Sequence, residues 1–298
     1  MSRITVIGEV LFDVFPENKC LGGAPFNFAF HLHGLGIEVN FISRIGDDAA
    51  GHKVLKFARQ FGFPVEGIQI DPDHETGEVR VTVDNKGMPE FHIMPDRAYD
   101  FIATNSFTDS LAIPENKLVY IGTLVQRSGV SRESIRKMLG TMSPHSMVMT
   151  DLNLRAPFYD RGVIEFNLHS CDILKVNQEE LNVLQIRLSF RGNPKNLVKF
   201  LQETYDIGTV CITKGEKGSE LYAAGRFEPF VAPVAKVNSM KDTVGAGDAF
   251  SAMLAVGLLK GWPGQVILDK ASEFSARICE FSGALPSSAE FYQPYKVQ

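Results

Sequence analysis

Short runs of apolar, often β-branched residues alternate with longer segments of helical spacing along nearly the whole chain. The short runs are apolar at successive positions, as expected for strands that helices cover on both faces. Six runs are predicted as strands: Ile4–Gly8, Val39–Ile45, Leu118–Gly122, Met147–Leu152, Ile173–Asn177 and Thr209–Thr213. Six segments are predicted as helices: Phe26–Leu35, Ala49–Phe61, Arg132–Met142, Gln178–Leu188, Pro194–Tyr205 and Ala246–Leu259. The alternation predicts an α/β fold with a doubly wound, mostly parallel sheet flanked by helices.

Two stretches depart from this alternation. Val10–Phe15 alternates in polarity with no helix after it, and Val79–Val83 and Phe91–Met94 flank Asp84-Asn85-Lys86-Gly87, a hairpin-turn signal. We therefore expect a small antiparallel β lid, formed from about residues 10–20 and 75–100, on a single domain that spans residues 1–298. Such a lid would exclude water from a site, and its unpaired strand edges would allow a homodimer to form through it.

Composition and charge exclude several classes of protein. The 30 lysines and arginines stand against 35 aspartates and glutamates, and the net charge of −5 disfavours non-specific nucleic-acid binding. No apolar run approaches the roughly 18 residues of a membrane span, and the N-terminus has the pattern of a strand rather than a leader. The four cysteines are dispersed, which is typical of buried thiols in a reducing compartment. We therefore expect a cytoplasmic protein with no nucleic-acid or membrane partner.

The strongest chemical signal is Asp242-Thr-Val-Gly245-Ala246-Gly247-Asp248, which leads into an apolar helix. Glycines leave successive amide N–H groups accessible, and a helix N-terminus carries a positive partial charge, so this segment suits a phosphate. Asp248 would compete with a bound anion, and an acid in the first turn is also ordinary helix capping. Spacing alone leaves both interpretations open.

A second glycine-rich segment, Gly22-Gly23-Ala-Pro-Phe-Asn27, precedes another predicted helix. A Gly-Gly pair lets a ligand approach the backbone, and Asn27 can donate and accept hydrogen bonds toward hydroxyls. A plain turn before a helix explains the same residues equally well, and Asp13 is equally ambiguous. The chain has neither a P-loop nor a G-x-G-x-x-G segment after its first strand, which disfavours P-loop enzymes and dinucleotide-binding dehydrogenases.

Together, these two segments resemble the two signatures of the ribokinase-like (PfkB) carbohydrate kinases. Their order and their separation of roughly 220 residues match the family, and the resemblance spans essentially the whole chain. It implies an ATP-dependent transfer of phosphate to a sugar hydroxyl, with a sugar and ATP as small-molecule partners. ATP and Mg²⁺ are the implied cofactors, and K⁺ is a further ion that family members often bind.

The resemblance also assigns roles to residues near the helix N-terminus. Asp248 matches the family's catalytic base. The chemistry is suitable, since a carboxylate beside an anion hole can accept the proton of the acceptor hydroxyl. The anion hole is assigned to the amides of Gly245, Ala246 and Gly247. The positions that match a K⁺ site are Asp242 and Val244, with backbone near Ser282-Gly283.

Two further motifs match the nucleotide side of the family. Asn177-Gln-Glu-Glu180 follows a strand and resembles the N-x-x-E motif, in which Glu180 would hold Mg²⁺ through water. Without the family, Glu180 would be interpreted as a solvated helix residue. Thr213-Lys214-Gly215-Glu-Lys-Gly218 resembles the T-x-G-x-x-G segment, and Lys214 is either a phosphate partner or solvent-exposed. The implied ATP contacts are Asn177, Thr213, Lys214, Gly215 and Gly218.

The acceptor is the open question. Asp151-Leu-Asn153-Leu-Arg155 resembles both fructokinases and 2-keto-3-deoxygluconate kinases, and the Arg155 guanidinium suits a carboxylate or a phosphate. Arg97-Ala-Tyr-Asp resembles fructokinases, and Phe91–Met94 has no tyrosines of the kind that acid-sugar kinases carry in the lid, so fructose is favoured. The implied acceptor contacts are Asp13, Gly22, Gly23, Asn27, Arg97, Asn153 and Arg155. A keto acid, a phosphosugar or a nucleoside acceptor, and a non-catalytic regulator, are the alternatives.

Overall fold

The computed structural model describes residues 3–83, 89–226 and 228–296. Its strands are β1 (Arg3–Ile7), β2 (Leu11–Val14), β3 (Lys19–Gly22), β4 (Glu38–Gly46), β5 (Ile68–Asp71), β6 (Gly77–Val83), β7 (Pro89–Ile93), β8 (Asn116–Ile121), β9 (Met147–Asp151), β10 (Ile173–Asn177), β11 (Thr209–Thr213), β12 (Ser219–Ala223) and β13 (Phe230–Ala232). Its helices are α1 (Ala24–Gly34), α2 (Ala49–Gln60), α3 (Gly129–Thr141), α4 (Arg161–Ser170), α5 (Gln178–Arg187), α6 (Pro194–Tyr205), α7 (Ala246–Leu259) and α8 (Gly264–Ile278).

Nine strands form the main sheet, in the order β13-β12-β11-β10-β9-β8-β1-β4-β5. The seven strands from β11 to β5 run parallel to one another, and β12 and β13 are added antiparallel at one edge. Both faces of the central strands are buried: Ile4 packs in one apolar cluster with α1, α7 and α8, and Ile7 packs in the other with α3 to α6. The predicted α/β fold with a mostly parallel, doubly wound sheet is confirmed.

A second, four-stranded sheet has the order β3-β2-β6-β7 and comes from the two stretches that broke the alternation. The pairs β2–β3 and β6–β7 are antiparallel, as predicted, whereas the central pair β2–β6 is parallel. The turn signal Asp84-Asn85-Lys86-Gly87 lies outside the described residues. The single domain, the function of this sheet as a lid and the homodimer stay predictions.

Across the ranges that the structure describes, no helix has both the length and the apolar character that crossing a membrane requires. The cytoplasmic location stays a prediction.

Candidate active site

The polar residues of the candidate site follow the strands of the main sheet at the edge where α1 and α7 begin. β9 ends at Asp151, β10 ends at Asn177 and β11 ends at Thr213. Because the carboxyl ends of parallel strands meet at one edge, these positions share the crevice where α/β sheets bind ligands.

Helix α7 starts at a backbone turn that only glycine adopts without strain. Gly245 has φ +76°, and a Cβ there would lie 2.6 Å from Ala284 Cα. Of the first helical amides, Ala246 N–H donates to the Thr243 carbonyl at 3.3 Å. The amides of Gly247 and Asp248 have no acceptor within the described part of the chain. The helix N-terminus therefore presents unpaired N–H groups to an anion.

Asp248 and Asn27 join the two glycine-rich segments. Asn27 is buried on the first turn of α1, and its Nδ2 donates to Asp248 Oδ2 at 2.7 Å. Gly23 precedes that turn with φ +103°, and a Cβ on it would lie 2.7 Å from the Glu9 carbonyl oxygen. Because the chain at Glu9 passes so close, glycine is required at position 23. The turn places the side-chain amide of Asn27 against Asp248, the proposed base.

The surroundings of Asp248 favour proton transfer near neutral pH. Burial raises its pKa to about 7, and the carboxylate of Asp151 adds to the increase. The Asn27 hydrogen bond and the charges of Lys175 and Arg155 lower the pKa. A carboxyl group with this pKa can accept a proton and release it again under ordinary conditions, as a general base must.

Two more carboxyl groups lie within the electrostatic reach of Arg155. Asp13 and Glu9 both have a pKa raised by burial, to about 7 for Glu9, and the Arg155 charge lowers the pKa of each. Gly22 is beside Asp13, because a Cβ on Gly22 would lie 3.2 Å from Asp13 Oδ2. Within residues 3–83, 89–226 and 228–296, the Arg155 side chain has no ion-pair partner. Arg155 is exposed.

Several buried polar atoms around these acids have no hydrogen-bond partner among the described residues. They are Glu9 Oε2, Asn27 Oδ1, Tyr99 Oη, Tyr120 Oη and Arg127 Nη1. Leaving such atoms unpaired costs stability, and folded proteins seldom do so without a functional reason. Both donors and acceptors occur in this set.

Glu180 is buried and holds two chain segments together. Its Oε2 accepts from Asn177 N–H at 2.8 Å and its Oε1 accepts from Leu154 N–H at 2.9 Å. Asn177 Oδ1 in turn accepts from Glu180 N–H at 2.8 Å, which completes a capping box at the start of α5. Glu180 is thus not a solvated helix residue, and it fixes the loop that carries Asn153 and Arg155.

The loop between β11 and β12 closes through the backbone. Lys214 N–H donates to the Gly218 carbonyl at 2.8 Å, so that Thr213, Gly215 and Gly218 lie in one tight turn. The Lys214 ammonium forms an ion pair with Glu220 on β12. Neither sequence-based alternative for Lys214 included this partner, and in this structure the side chain is neither free nor directed only to solvent.

Asp242 ties the segment before α7 to the segment after α8. Its Oδ1 accepts from Val244 N–H at 2.6 Å, and its Oδ2 accepts from Gly283 N–H at 2.9 Å. The residues that match a monovalent-cation site are therefore next to one another, although their role stays a prediction.

Arg97 is the predicted acceptor residue that the structure does not join to this cluster. Its guanidinium forms an ion pair with Glu75, and its amide donates to Asp100 Oδ2 at 3.0 Å. Arg127 lies nearer to the acids: its Nε and Nη2 bind Asp100 at 2.8 and 2.7 Å, and its charge lowers the pKa of Glu9.

Sequence reasoning missed four polar residues of this neighbourhood: Glu9, Tyr120, Lys175 and Ser251. Lys175 carried a usable signal, because it is a charged residue inside an otherwise apolar predicted strand. A buried lysine needs a buried partner, and Asp151 at the end of the neighbouring strand was available for that role.

Comparison with known proteins places the chain in a family. The model of the pfkB family of carbohydrate kinases matches residues 5–290. A protein of Pyrococcus horikoshii that is named as a sugar kinase is 31% identical over 87% of this chain and 83% of its own length. A fructokinase of Escherichia coli is 27% identical over 86% and 84%. The structure of a fructokinase from Xylella fastidiosa with bound ATP superposes with a TM-score of 0.82 at 20% identity, covering 95% of this chain and 93% of that one.

The chain therefore belongs to the pfkB family of carbohydrate kinases. This confirms the family that the two glycine-rich segments indicated, and with it the broad class of activity, a sugar kinase.

Proposed function

We propose that this protein transfers the γ-phosphoryl group of ATP to a hydroxymethyl group of a neutral sugar, and that the sugar is fructose. The observation that carries the proposal is the meeting of Asp248 with the unpaired amides at the start of α7. A proton acceptor and an anion-binding helix end are the two groups that a phosphoryl transfer to a hydroxyl needs at one place.

In the proposed reaction, Asp248 removes the proton of the acceptor hydroxyl as its oxygen bonds to the γ-phosphorus. The bond from that phosphorus to the bridging oxygen breaks, and the electron pair leaves with ADP. The amides of Gly245, Ala246 and Gly247 stabilise the charge on the transferring group. Asn27 keeps the Asp248 carboxylate oriented through its hydrogen bond.

The remaining predicted residues would hold the nucleotide and its ions. Backbone groups of the loop at Thr213, Gly215 and Gly218, with Asn177, would contact ATP. No cluster of three or more histidine, cysteine or acidic side chains that could hold a metal occurs in the described ranges. This fits Mg²⁺, which keeps its waters and binds substrate phosphates while screening their charge. Glu180 would contact that ion through water.

The proposed K⁺ site consists of the Asp242 carboxylate and the Val244 carbonyl. Both groups lie just before α7, and the Asp242 carboxylate already accepts hydrogen bonds from Val244 N–H and Gly283 N–H. An ion held there would therefore lie beside the anion hole.

Charge favours a neutral acceptor. Asp13, Glu9 and Asp248 are all affected by the single charge of Arg155. Adding the carboxylate of a keto acid or the phosphate of a phosphosugar would crowd a further anion beside three acids. The other nearby arginine, Arg127, is already paired with Asp100. Relatives of the chain are named as fructokinases and as 5-dehydro-2-deoxygluconokinases, so their names do not decide between acceptors.

The test is ADP release with Mg-ATP and K⁺ over fructose, glucose, ribose, 2-keto-3-deoxygluconate, fructose 6-phosphate and adenosine. We expect the highest kcat/KM on fructose. Preference for the keto acid would mean that Arg155 binds a carboxylate, and Arg155→Met would then abolish that preference. Absence of sugar-dependent ADP release from the whole panel, with ATP still bound, would favour a non-catalytic binding protein.

A further inference from the structure

A buried ion pair lies below the proposed catalytic residues. Lys175 Nζ on β10 is 2.9 and 3.2 Å from the two carboxylate oxygens of Asp151 on β9. The residues are direct neighbours in the register of the two strands, and their side chains are 8% and 2% exposed. Both charges are therefore removed from water at the carboxyl edge of the sheet.

The pair is connected to the first turns of α7. Ser251 Oγ donates to Asp151 Oδ2 at 2.8 Å, and Ser251 is completely buried. Ser251 follows Asp248 by three positions, so both side chains project from the same face of the helix. A Cβ on Gly247 would lie 3.5 Å from Lys175 Nζ. The ammonium group is therefore directly beside the start of α7.

We propose that Asp151, Lys175 and Ser251 form a positioning network that fixes the first turns of α7 and holds two opposite charges in balance beside Asp248. The inference rests on the proposed function, in which Asp248 is the base. The three residues act through Asp248 and the helix, and they are assigned no contact with the reacting atoms.

Stability alone is a poor reason for such a pair. Removing two charges from water costs free energy that their attraction seldom exceeds, so apolar residues of similar volume would serve the core at least as well. The two charges act on Asp248 in opposite directions: Asp151 raises its pKa and Lys175 lowers it. Both also act on Glu180 with the same signs. The two effects oppose each other, so loss of either partner alone should change the proton affinity of Asp248, whereas loss of both should change it little.

Other groups face Asp248 as well, and none of them is substituted in the test. They are Glu9 after β1, Asn27 on α1, Tyr120 on β8 and Arg155 after β9.

The experiment measures the titration of Asp248 directly, by carbon-13 NMR of protein labelled at the aspartate carboxyl carbons. The Asp248 signal is assigned by its loss in Asp248→Asn. In Asp151→Asn we expect the pKa of Asp248 to fall, on the order of one unit, because a negative neighbour is removed. In Lys175→Met we expect it to rise by a similar amount. The double variant should titrate close to the wild type.

Ser251→Ala tests the positioning role of the hydrogen bond, and Lys199→Met is the matched control. Ser251→Ala removes the hydrogen bond without removing a charge, so it should lower kcat while moving the pKa less than Asp151→Asn does. Lys199 is an exposed lysine paired with Glu203 on α6, and its replacement should change neither quantity. If Lys175→Met unfolds, as loss of one buried partner can cause, Asp151→Asn and the double variant carry the test.

Single variants that leave the titration unchanged, or that move it in the same direction, would overturn the network. This readout needs no turnover. If the wild type phosphorylates no sugar while the opposed shifts appear, the proposed function fails and the electrostatic network stands.

Discussion

On the proposed acceptor side of the candidate site, several buried polar atoms have no partner among the described residues, whereas on the proposed nucleotide side Lys214 and Glu180 both have partners. Glu9 Oε2 and Asn27 Oδ1 are unpaired on the first side. On the second, Lys214 is paired with Glu220, and Glu180 accepts from two backbone amides. Under the proposed function, side chains would recognise the acceptor, while backbone N–H groups would hold most of the nucleotide.

The difference agrees with what the two ligands offer. A phosphate chain carries concentrated negative charge, and backbone amides at a helix N-terminus or a tight turn recognise it without any particular side chain. A sugar is distinguished by the direction of its hydroxyls, and only fixed side-chain donors and acceptors can read that direction. Substitutions on the two sides should accordingly change different kinetic constants.

The largest effect is expected where the two sides meet, at Asp248. Asp248→Asn keeps the size of the side chain but removes the proton acceptor, so kcat should fall by about 10³-fold or more. The Kd for ATP, measured by calorimetry, should stay within about threefold of the wild type, because the helix amides are unchanged. Turnover near the wild-type value would remove Asp248 as the base.

The next effect tests the backbone contribution at the start of α7. Gly245→Ala places a Cβ against Ala284 and strains a positive φ, so the amides of the turn should shift and kcat should fall about 10²-fold. Gly140→Ala, on α3, is the matched control. A Cβ on Gly140 has no atom within 4 Å, and this variant should keep full activity with equal or higher Tm. Equal kinetics in both variants would contradict the anion hole.

The sequence predicted the regular part of this framework well. β10, β11, α6 and α7 begin and end at the predicted residues, because each is a long apolar or clearly amphipathic segment with a distinct boundary residue. Pro194 starts one of these helices and Gly245 precedes another. Elements with weaker local signals were missed, among them the edge strands β12 and β13 and the helices α4 and α8.

The candidate site was predictable where residues are adjacent in sequence and not where contacts join distant segments. The spacing within Asp242–Asp248 suits a phosphate but equally allows helix capping, and it was the resemblance to a family that favoured the phosphate. Nothing local pairs Asn27 with Asp248, which are 221 residues apart. The ion pair of Lys175 with Asp151 depends on the register of two strands. The ion pair of Arg97 joins it to Glu75, which stands just before β6 and is 22 residues away in the sequence.

A third prediction concerns the buried acid Glu9, whose Oε2 has no hydrogen-bond partner among the described residues. Burial raises its pKa from 4.5 to about 7, so between these values the folded protein keeps a proton that the unfolded chain has lost. Stability therefore falls as the pH rises through this window. Glu9→Gln removes the effect, and its free energy of unfolding should exceed that of the wild type by on the order of 3 kcal/mol at pH 8.

Near pH 4 the difference between Glu9→Gln and the wild type should be small, because the acid is then protonated in both states. Urea unfolding at both pH values measures it. A stability difference that does not depend on pH would show that Glu9 has a partner when the protein is folded, and the contrast between the two sides would weaken.

The smallest effect is expected on the nucleotide side, at Lys214. Its ammonium is occupied by Glu220, so Lys214→Met should change the KM for ATP by less than about threefold and leave the KM for the sugar unchanged. Lys199→Met, the same substitution on an exposed helix face, is the control. A tenfold or larger rise in the KM for ATP would mean that Lys214 leaves Glu220 to bind phosphate when the nucleotide arrives. The nucleotide side would then depend on side chains as the acceptor side does. The two halves of the site would differ only in the partners that their side chains have before the ligands bind.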